Sequence, residues 1–356
     1  MKVEALELTN FRSYESARFK LHPEVTLVVG PNASGKTNLL ESLYVLASTR
    51  SFRAKDKDLV RHGQDHYRVV ATAGGTEYAL GYAASGPSEK KITHDGVKRT
   101  LIGHVGLIQV TLFEPTDMDL VAGAPEARRR YLDFLLCQTD RSYLKVLQHY
   151  RRVLRQRNAL LDGFDMNKIR EQIFAWDMKL AELALAIYRA RLKLLESLQQ
   201  AAPLLYKDIA GEAVNVRFEY LPSVTGIYES EFLEALAVNL TRDMAAGFTT
   251  IGPHREDFKI HFKDNVITTV ASRGETRTLV LAMKLAELGY AEEHTGSRPL
   301  LLLDDVFSEL DKQRRGYLLN RLEGYQTVVT TTDADAITRD FKTPHMIIKT
   351  GATAHA

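Results

Sequence analysis

The 356-residue sequence predicts an α/β fold, a mixed sheet with an antiparallel β-subdomain interrupted by an inserted helical lobe. Three observations predict it. Residues 27–44, LVVGPNASGKTNLLESLY, pass from an apolar strand through a glycine-bounded loop into a helix. Residues 300–305, LLLLDD, form an unbroken apolar run ending in acid, as expected of a strand covered on both faces of a parallel sheet. Between these, over residues 126–238, apolar residues recur mostly at helical spacing.

Each element follows in order. Residues 1–8 alternate loosely, Asn10-Phe11-Arg12 breaks the pattern, and 17–21 and 25–29 read as further strands. The helix after the glycine loop starts at Ser34 or Thr37 and sends Leu39, Leu40, Leu43, Val45 and Leu46 toward a core, then gives way to a basic, hydroxyl-rich loop at 48–51. Short alternating runs over 66–110, punctuated by Gly74-Gly75, Ser85-Gly86-Pro87 and His94-Asp95-Gly96, read as hairpins, because Asp-Gly favours a tight turn. Residues 110–113 give a last strand before the helical lobe. There Tyr143, Val146, Leu147, Tyr150, Val153 and Leu154 form one stripe, and Trp176, Leu180, Leu183, Ile187, Leu194 and Leu198 another. A turn from Asp162-Gly163 to Asn167 separates two long helices whose stripes pack as core without a ligand. Pro203 and a short strand at 215–220 interrupt the pattern, and 229–241 resumes it. Strands at 258–262 and 266–270 precede a helix opened by Ala271-Ser272-Arg273-Gly274-Glu275. The expected organisation is 1–125, a helical lobe at 126–245, and 246–356 completing the first part.

Hydrophobic residues at 45% and charged residues at 26% exclude a disordered or fibrous chain, and no apolar run is long enough to span a bilayer. The N-terminus opens with a strand pattern, so no export is expected. One cysteine, Cys137, cannot form an internal bridge or a zinc cage; it is expected as a core thiol in a reducing compartment. A net charge of +2 decides nothing about a polyanion partner, so charge distribution must.

The chemistry concentrates in two motifs. In Gly30-Pro31-Asn32-Ala33-Ser34-Gly35-Lys36-Thr37 the spacing leaves backbone N–H groups to wrap phosphate, with Lys36 reaching the β- and γ-phosphates and Thr37 placed on Mg2+. The following helix, through Asn38, adds its positive end. Glycine is needed at 30 and 35 so that phosphate oxygens can approach the backbone. Asp304 reads as the second metal-facing group, opposite Thr37, and Asp305 as the residue that orients or deprotonates an attacking water. Ser308-Glu309-Leu310-Asp311 follows, and a strand at 327–330 ends in Thr331-Thr332-Asp333, polar groups expected near a γ-phosphate.

The phosphate loop, Ser272-x-Gly274-Glu275 opening a helix, LLLLDD and SELD stand in the order of ABC-type ATPase heads, and the chain resembles their SMC/Rad50 branch. LELTNFRSYESARF, AGAPEARRRYLD, RQRNALL, TTIGPHRED and ASRGETRT together resemble the RecF family of bacterial recombination mediators along essentially the whole chain. The resemblance implies a P-loop ABC-type ATPase head in which Arg12 reaches phosphates from the first strands. It also implies that Ser272-Arg273-Gly274-Glu275 is a signature acting on a second copy, with Ser272 and Gly274 contacting the γ-phosphate held there, that 113–117 takes the place of a loop joining the lobes, with Glu114 where a glutamine is usual, and that Ser308 and Asp311 form the D-loop. Asp305 stands where transporters carry glutamate, Glu275 where glutamine ends their signature, and Thr331 or Thr332 where their switch histidine lies. It therefore implies slow ATP hydrolysis with Mg2+, an ATP-dependent homodimer on duplex, gapped or junction DNA, help in loading recombinase, RecR-like and RecO-like partners, and a bacterial cytoplasmic, nucleoid-associated location without a membrane.

From Arg128 to Arg157 nine Lys and Arg face two acids, Asp133 and Asp140, which makes Arg128, Arg129, Arg130, Arg151, Arg152 and Arg155 candidates for DNA phosphates. Nothing reads base edges, so salt should weaken binding steeply. His254-Arg255 either binds an anion or ties lobes together through Asp257. Competing readings are a transporter motor subunit, a structural DNA tether in which nucleotide regulates assembly with little hydrolysis, and a small-molecule kinase. Residues 38–271 lie between the phosphate loop and Ser272, a longer separation than in a transporter head, and a kinase leaves Ser272 to Glu275 unexplained.

Overall fold

The computed structural model describes residues 1–84, 89–161, 166–332 and 344–351. The expected turns at Ser85-Gly86-Pro87 and Asp162-Gly163, and Asp333, lie outside them. The chain forms two compact units, Met1–Asp117 with Glu287–Ala356, and Met118–Ala286.

The first unit opens with β1 (Val3–Phe11), β2 (Tyr14–Lys20), β3 (Val25–Val29), α1 (Lys36–Ser48), β4 (His66–Ala73), β5 (Thr76–Ala83), β6 (Glu89–His94), β7 (Val97–Arg99) and β8 (Val110–Phe113). Six of these strands form an antiparallel sheet in the order β2-β1-β4-β5-β6-β7. Its alternation is plain in β4, where Tyr67 and Val69 are buried between exposed His66 and Arg68. At the β6–β7 turn Asp95 (φ 47°) and Gly96 (φ 76°) both take the left-handed conformation that a two-residue hairpin requires.

The second unit contains α2 (Asp119–Ala122), α3 (Pro125–Thr139), α4 (Arg141–Leu160), α5 (Met166–Ala210), β9 (Val216–Leu221), α6 (Tyr228–Val238), α7 (Leu240–Ala246), β10 (Asp257–Phe262), β11 (Asn265–Val266), α8 (Ile267–Val270) and the start of α9 (Arg273–Thr295). Proline sits at the start of α3, where its missing N–H costs nothing, and the Asp140 carboxylate caps α4 by accepting from Ser142 N at 2.7 Å. The stripes predicted for α4 and α5 are core: Tyr143, Leu147, Tyr150, Val153, Leu180, Ile187 and Leu194 are buried.

The chain then returns to the first unit through β12 (Leu300–Asp304), α10 (Val306–Glu309), α11 (Lys312–Arg321), β13 (Thr327–Thr331) and β14 (His345–Lys349). These strands join β3 and β8 in a parallel sheet of order β14-β3-β13-β12-β8. Leu300 to Leu303 are all buried there, as the unbroken apolar run predicted, each contributing about 2 kcal/mol. β3, β12 and β13 deliver their carboxyl ends to one edge of the sheet, where ligands of open α/β sheets bind.

Four expectations differ. Residues 267–270 form the short helix α8, not a strand, with the Thr269 hydroxyl bonded back to the Val266 carbonyl. Pro203 does not end α5; Ala202 and Tyr206 beside it are buried, and that packing holds the helix through the lost backbone bond. Cys137 is only half-buried. Residues 246–286 belong with the helical unit, because β10 pairs along its length with β9. No helix among the described residues is long and apolar enough to cross a membrane.

Candidate nucleotide site and basic surface

The loop between β3 and α1 is shaped by two glycines. A Cβ on Gly30 would meet Ser34 Oγ and the Thr350 carbonyl oxygen, each at 2.6 Å; Gly35, at φ 99°, takes a conformation that side chains resist. Ser34 and Thr350 share a 2.6 Å hydroxyl contact, and Tyr14 donates to the Gly35 carbonyl at 3.1 Å. Lys36 Nζ bridges the carbonyls of Gly30 and Pro31, 2.8 Å from each, so its charge is held over the loop and not released to solvent. The first amides of α1 have no intrahelical acceptor. Loop, ammonium and helix end thus converge on one small volume suited to phosphate.

At the neighbouring strand tip, Thr37 Oγ1 donates to Asp304 Oδ1 at 2.9 Å. Thr330, paired in register with Asp304 across β12 and β13, donates to the same oxygen at 2.7 Å and accepts from Asp305 N at 3.0 Å. Hydroxyl and carboxylate oxygens are the hard donors that Mg2+ takes beside phosphate, so the residues fit that ion. Asp305 turns the chain at φ 51° into α10. Ser308 donates to the Asp305 carbonyl at 2.7 Å, and Asp311 caps α11 by accepting from Arg314 N at 2.9 Å. Thr331 is buried, with its carbonyl receiving Gly30 N at 3.4 Å, whereas Thr332 is exposed. Glu114 N donates to the Asp117 carboxylate at 2.9 Å, a local turn.

Arg12 (φ 54°) leaves the β1–β2 turn with Nε and Nη2 each 2.9 Å from the Glu41 carboxylate. Glu41 is fully buried and also receives Arg53 at 2.9 Å and Ser51 at 2.5 Å. Burial pushes its carboxyl up, but the bonds from Arg12, Arg53 and Ser51 prevail and hold it below its ordinary value. An open cleft of about 650 Å³ is lined by Arg12, Ser13, Asn38, Arg53, Ala54, Asp58 and Val60. Asn38 reaches both Ser13 (2.9 Å) and Arg53 (2.7 Å).

In the second unit, Ser272 and Glu275 form a reciprocal cap at the start of α9. Ser272 N donates to Glu275 Oε2 at 2.8 Å, and Glu275 N to Ser272 Oγ at 3.2 Å. Ser272 and Arg273 are exposed, and Gly274 and Glu275 are half-buried. Lys263 donates to Glu275 Oε1 at 2.7 Å, and this bond, with those from Ser272, holds the carboxyl down to about 2.

The basic candidates divide. Arg128 is a correction: both its Nε and Nη2 sit 2.8 Å from the Asp257 carboxylate, leaving its side chain 12% exposed. Arg129 donates to the carbonyls of Arg255 and Glu256. Arg151 lies 3.5 Å from Asp133. Arg130, Arg152 and Arg155 remain exposed, with Arg141 and Lys145 also exposed on α4. Arg157 is fully buried between Asp177 (2.6 Å) and Asp243 (2.7 Å).

TTIGPHRED is tied down inside this unit. Thr249 receives Arg157 at 2.8 Å, Thr250 donates to Asp243 at 2.7 Å, and the Pro253 carbonyl accepts from Arg191 at 2.7 Å. Glu256 accepts from Tyr220 and Tyr228 at 2.6 Å each. The tie expected of His254-Arg255 through Asp257 does not form: Asp257 pairs with Arg128, and His254 is bonded within the second unit. The Thr249 carbonyl, 3.0 Å from Nε2, can only accept, so Nε2 carries the proton and Nδ1 accepts from Tyr150 at 2.7 Å. Burial pushes the imidazole down to about 4.

Sequence reasoning missed Thr330, Glu41, Arg53 and Thr350. Glu41 left one signal, an acid set among Leu39, Leu40 and Leu43 in α1. Thr330 left none, because alternation in a fully buried strand does not say which threonine faces its neighbour's carboxylate.

The AAA ATPase domain family model matches residues 1–95. The chain is 35% identical over 338 residues to the DNA replication and repair protein RecF of Clostridium novyi, covering 93% of each chain. It is 36% identical to the protein of that name from Synechococcus over 349 residues, covering 93% and 91% respectively. Among solved structures it superposes on the recombination mediator protein RecF-ATP in the RecFOR pathway with a TM-score of 0.85 at 32% identity, covering 93% of this chain and 92% of that one. A Pyrococcus furiosus Smc head domain, at TM-score 0.51 and 14% identity over 98% and 93%, shares the fold.

Proposed function

Since the chain belongs to the RecF family of DNA replication and repair proteins, we propose that it is an ATP-binding repair protein that clamps DNA as a nucleotide-closed homodimer. The observation that carries this reading is the joining of Thr37, Asp304 and Thr330 at the strand tips beside the phosphate loop. Lys36 and the first amides of α1 hold the β- and γ-phosphates, Thr37 and Asp304 hold Mg2+, and Arg12 lines the cleft beside them. ATP supplies a γ-phosphate that the clamp gains on closing and loses on opening.

Asp305 orients the attacking water and takes its proton. An aspartate is shorter than the glutamate of transporters, and Thr331 and Thr332 offer no imidazole, so turnover is slow and suits a timer more than a pump. Ser272 and Gly274 of one copy meet the γ-phosphate held by the other, which makes each site composite. Ser308 and Asp311 line the joint between copies. Arg130, Arg152 and Arg155 are the cations left available to duplex, gapped or junction DNA. Loading of recombinase, RecR-like and RecO-like partners, and a cytoplasmic, nucleoid-associated location complete the proposal. The pathway named for the solved neighbour supports the partner assignment.

Two variants test it. Lys36→Met should lose nucleotide binding, roughly hundredfold if a charge-assisted pair of bonds is removed. Asp305→Asn should keep nucleotide and accumulate a dimer that grips DNA without turnover. Equal behaviour of the two variants overturns the proposal. A wild-type dimer that neither hydrolyses ATP nor opens would favour the structural tether.

A further inference from the structure

The turn proposed to receive the partner's γ-phosphate already holds an anion. Ser272 N donates to Glu275 Oε2 at 2.8 Å, so the first free amide of α9 is occupied by the chain's own carboxylate. Ser272 Oγ accepts from Glu275 N at 3.2 Å, which uses a lone pair and leaves the hydroxyl proton free to donate. The other Glu275 oxygen, Oε1, rests on Lys263 at 2.7 Å. Lys263 is placed there by the β10–β11 hairpin, whose two turn residues, Lys263 (φ 51°) and Asp264 (φ 65°), are both left-handed. Glu275 is 24% exposed and Lys263 53% exposed, so both can move.

We propose that Glu275 is a built-in competitor of the partner's γ-phosphate, a repulsive charge that keeps the closed dimer weak, and that Lys263 is the counter-ion that moderates it. This rests on the composite-site reading above and gives Glu275 the role opposite to that of a phosphate contact. A phosphate brought to the start of α9 meets a carboxylate within the same turn. For closure the carboxylate must leave Ser272 N, and the Lys263 ammonium is the group that can take it. A glutamine at 275 would keep the cap, since its amide oxygen still accepts from Ser272 N, while removing the charge.

The two residues then act with opposite sign. Glu275→Gln should tighten the dimer formed with Mg2+ and the non-hydrolysable analogue AMP-PNP, roughly two- to fivefold in dissociation constant, the worth of one charge at a helix N-terminus. Lys263→Gln should weaken it several-fold by leaving the carboxylate unneutralised. A purely structural cap would give no change or a weaker dimer in both. Dimer fraction is read by analytical ultracentrifugation over a concentration series, and circular dichroism melts confirm that both variants fold. Opposite shifts, with the Glu275→Gln gain shrinking at high salt, support the proposal. A Glu275→Gln dimer no tighter than wild type overturns it while leaving the composite site standing. Absence of any wild-type dimer with AMP-PNP overturns both.

Discussion

Each unit contains a network in which arginines and acids meet away from water, and the two are built the opposite way round. In the first, the buried member is an acid. Glu41 is fully buried, and Arg12 and Arg53, 22% and 38% exposed, close on it from the cleft side. In the second, the buried member is the cation. Arg157 is fully buried, and Asp177 and Asp243 close around it. A buried acid fixes two guanidinium groups at the wall of an open cleft. A buried arginine between two acids consumes its own charge and presents nothing; it staples α4 to α5 and α7. The same residue types therefore face an open cleft in one unit and the core in the other, and which member is buried decides.

The largest expected effect breaks the staple. Arg157→Ala leaves Asp177 and Asp243 buried without their cation and should cost roughly 3–5 kcal/mol, read as a fall in the unfolding midpoint. Nucleotide affinity of the protein that remains folded should be unchanged. The contrast fails if affinity falls with stability.

Next in size is a pH effect confined to the second unit. His254 is neutral in the fold, held down to about 4 by burial, against an ordinary value of 6.5. A depressed folded value means stability is in place above pH 6.5 and is lost as pH falls through 4. The loss should reach roughly 3 kcal/mol. His254→Gln should flatten that segment of the stability–pH curve in urea titrations; an unaltered slope would assign the acid sensitivity elsewhere.

Arg12→Ala should act the other way from Arg157→Ala. Glu41 retains Arg53 and Ser51, so stability should drop by only about 1 kcal/mol, while ATP affinity falls roughly tenfold, measured by calorimetry. The smallest effect concerns the surface cations. Removing Arg152 and Arg155 together should lower the slope of log affinity for duplex DNA against log salt by about two, and Arg130→Ala by about one. Arg128→Ala, whose guanidinium is committed to Asp257, should instead lower stability.

Much of the first unit is legible in the sequence because its chemistry rests on backbone geometry. Glycines at 30 and 35, a lysine after the second and an apolar run ending in Asp304 can fold together in few ways. Thr330 is not legible, since it acts through a partner on the neighbouring strand, and Glu41 shows only in its place among leucines. The second unit shows the complementary failure. Counting cations along 128–157 treats Arg128, Arg152 and Arg157 alike, yet one pairs with Asp257, one is exposed and one is in the core. Charge counts carry no burial, and the acids that decide it arrive from α5, α7 and β10. Pro203 was misread for a related reason: helix breaking is a local tendency, and the packing of Ala202 and Tyr206 outweighs it.

Light scattering on the wild-type protein with Mg2+ and ATP, with ADP, and with no nucleotide tests the composite clamp most directly. The account predicts twice the monomer mass with ATP and monomer in the other two. The same mass in all three would contradict it.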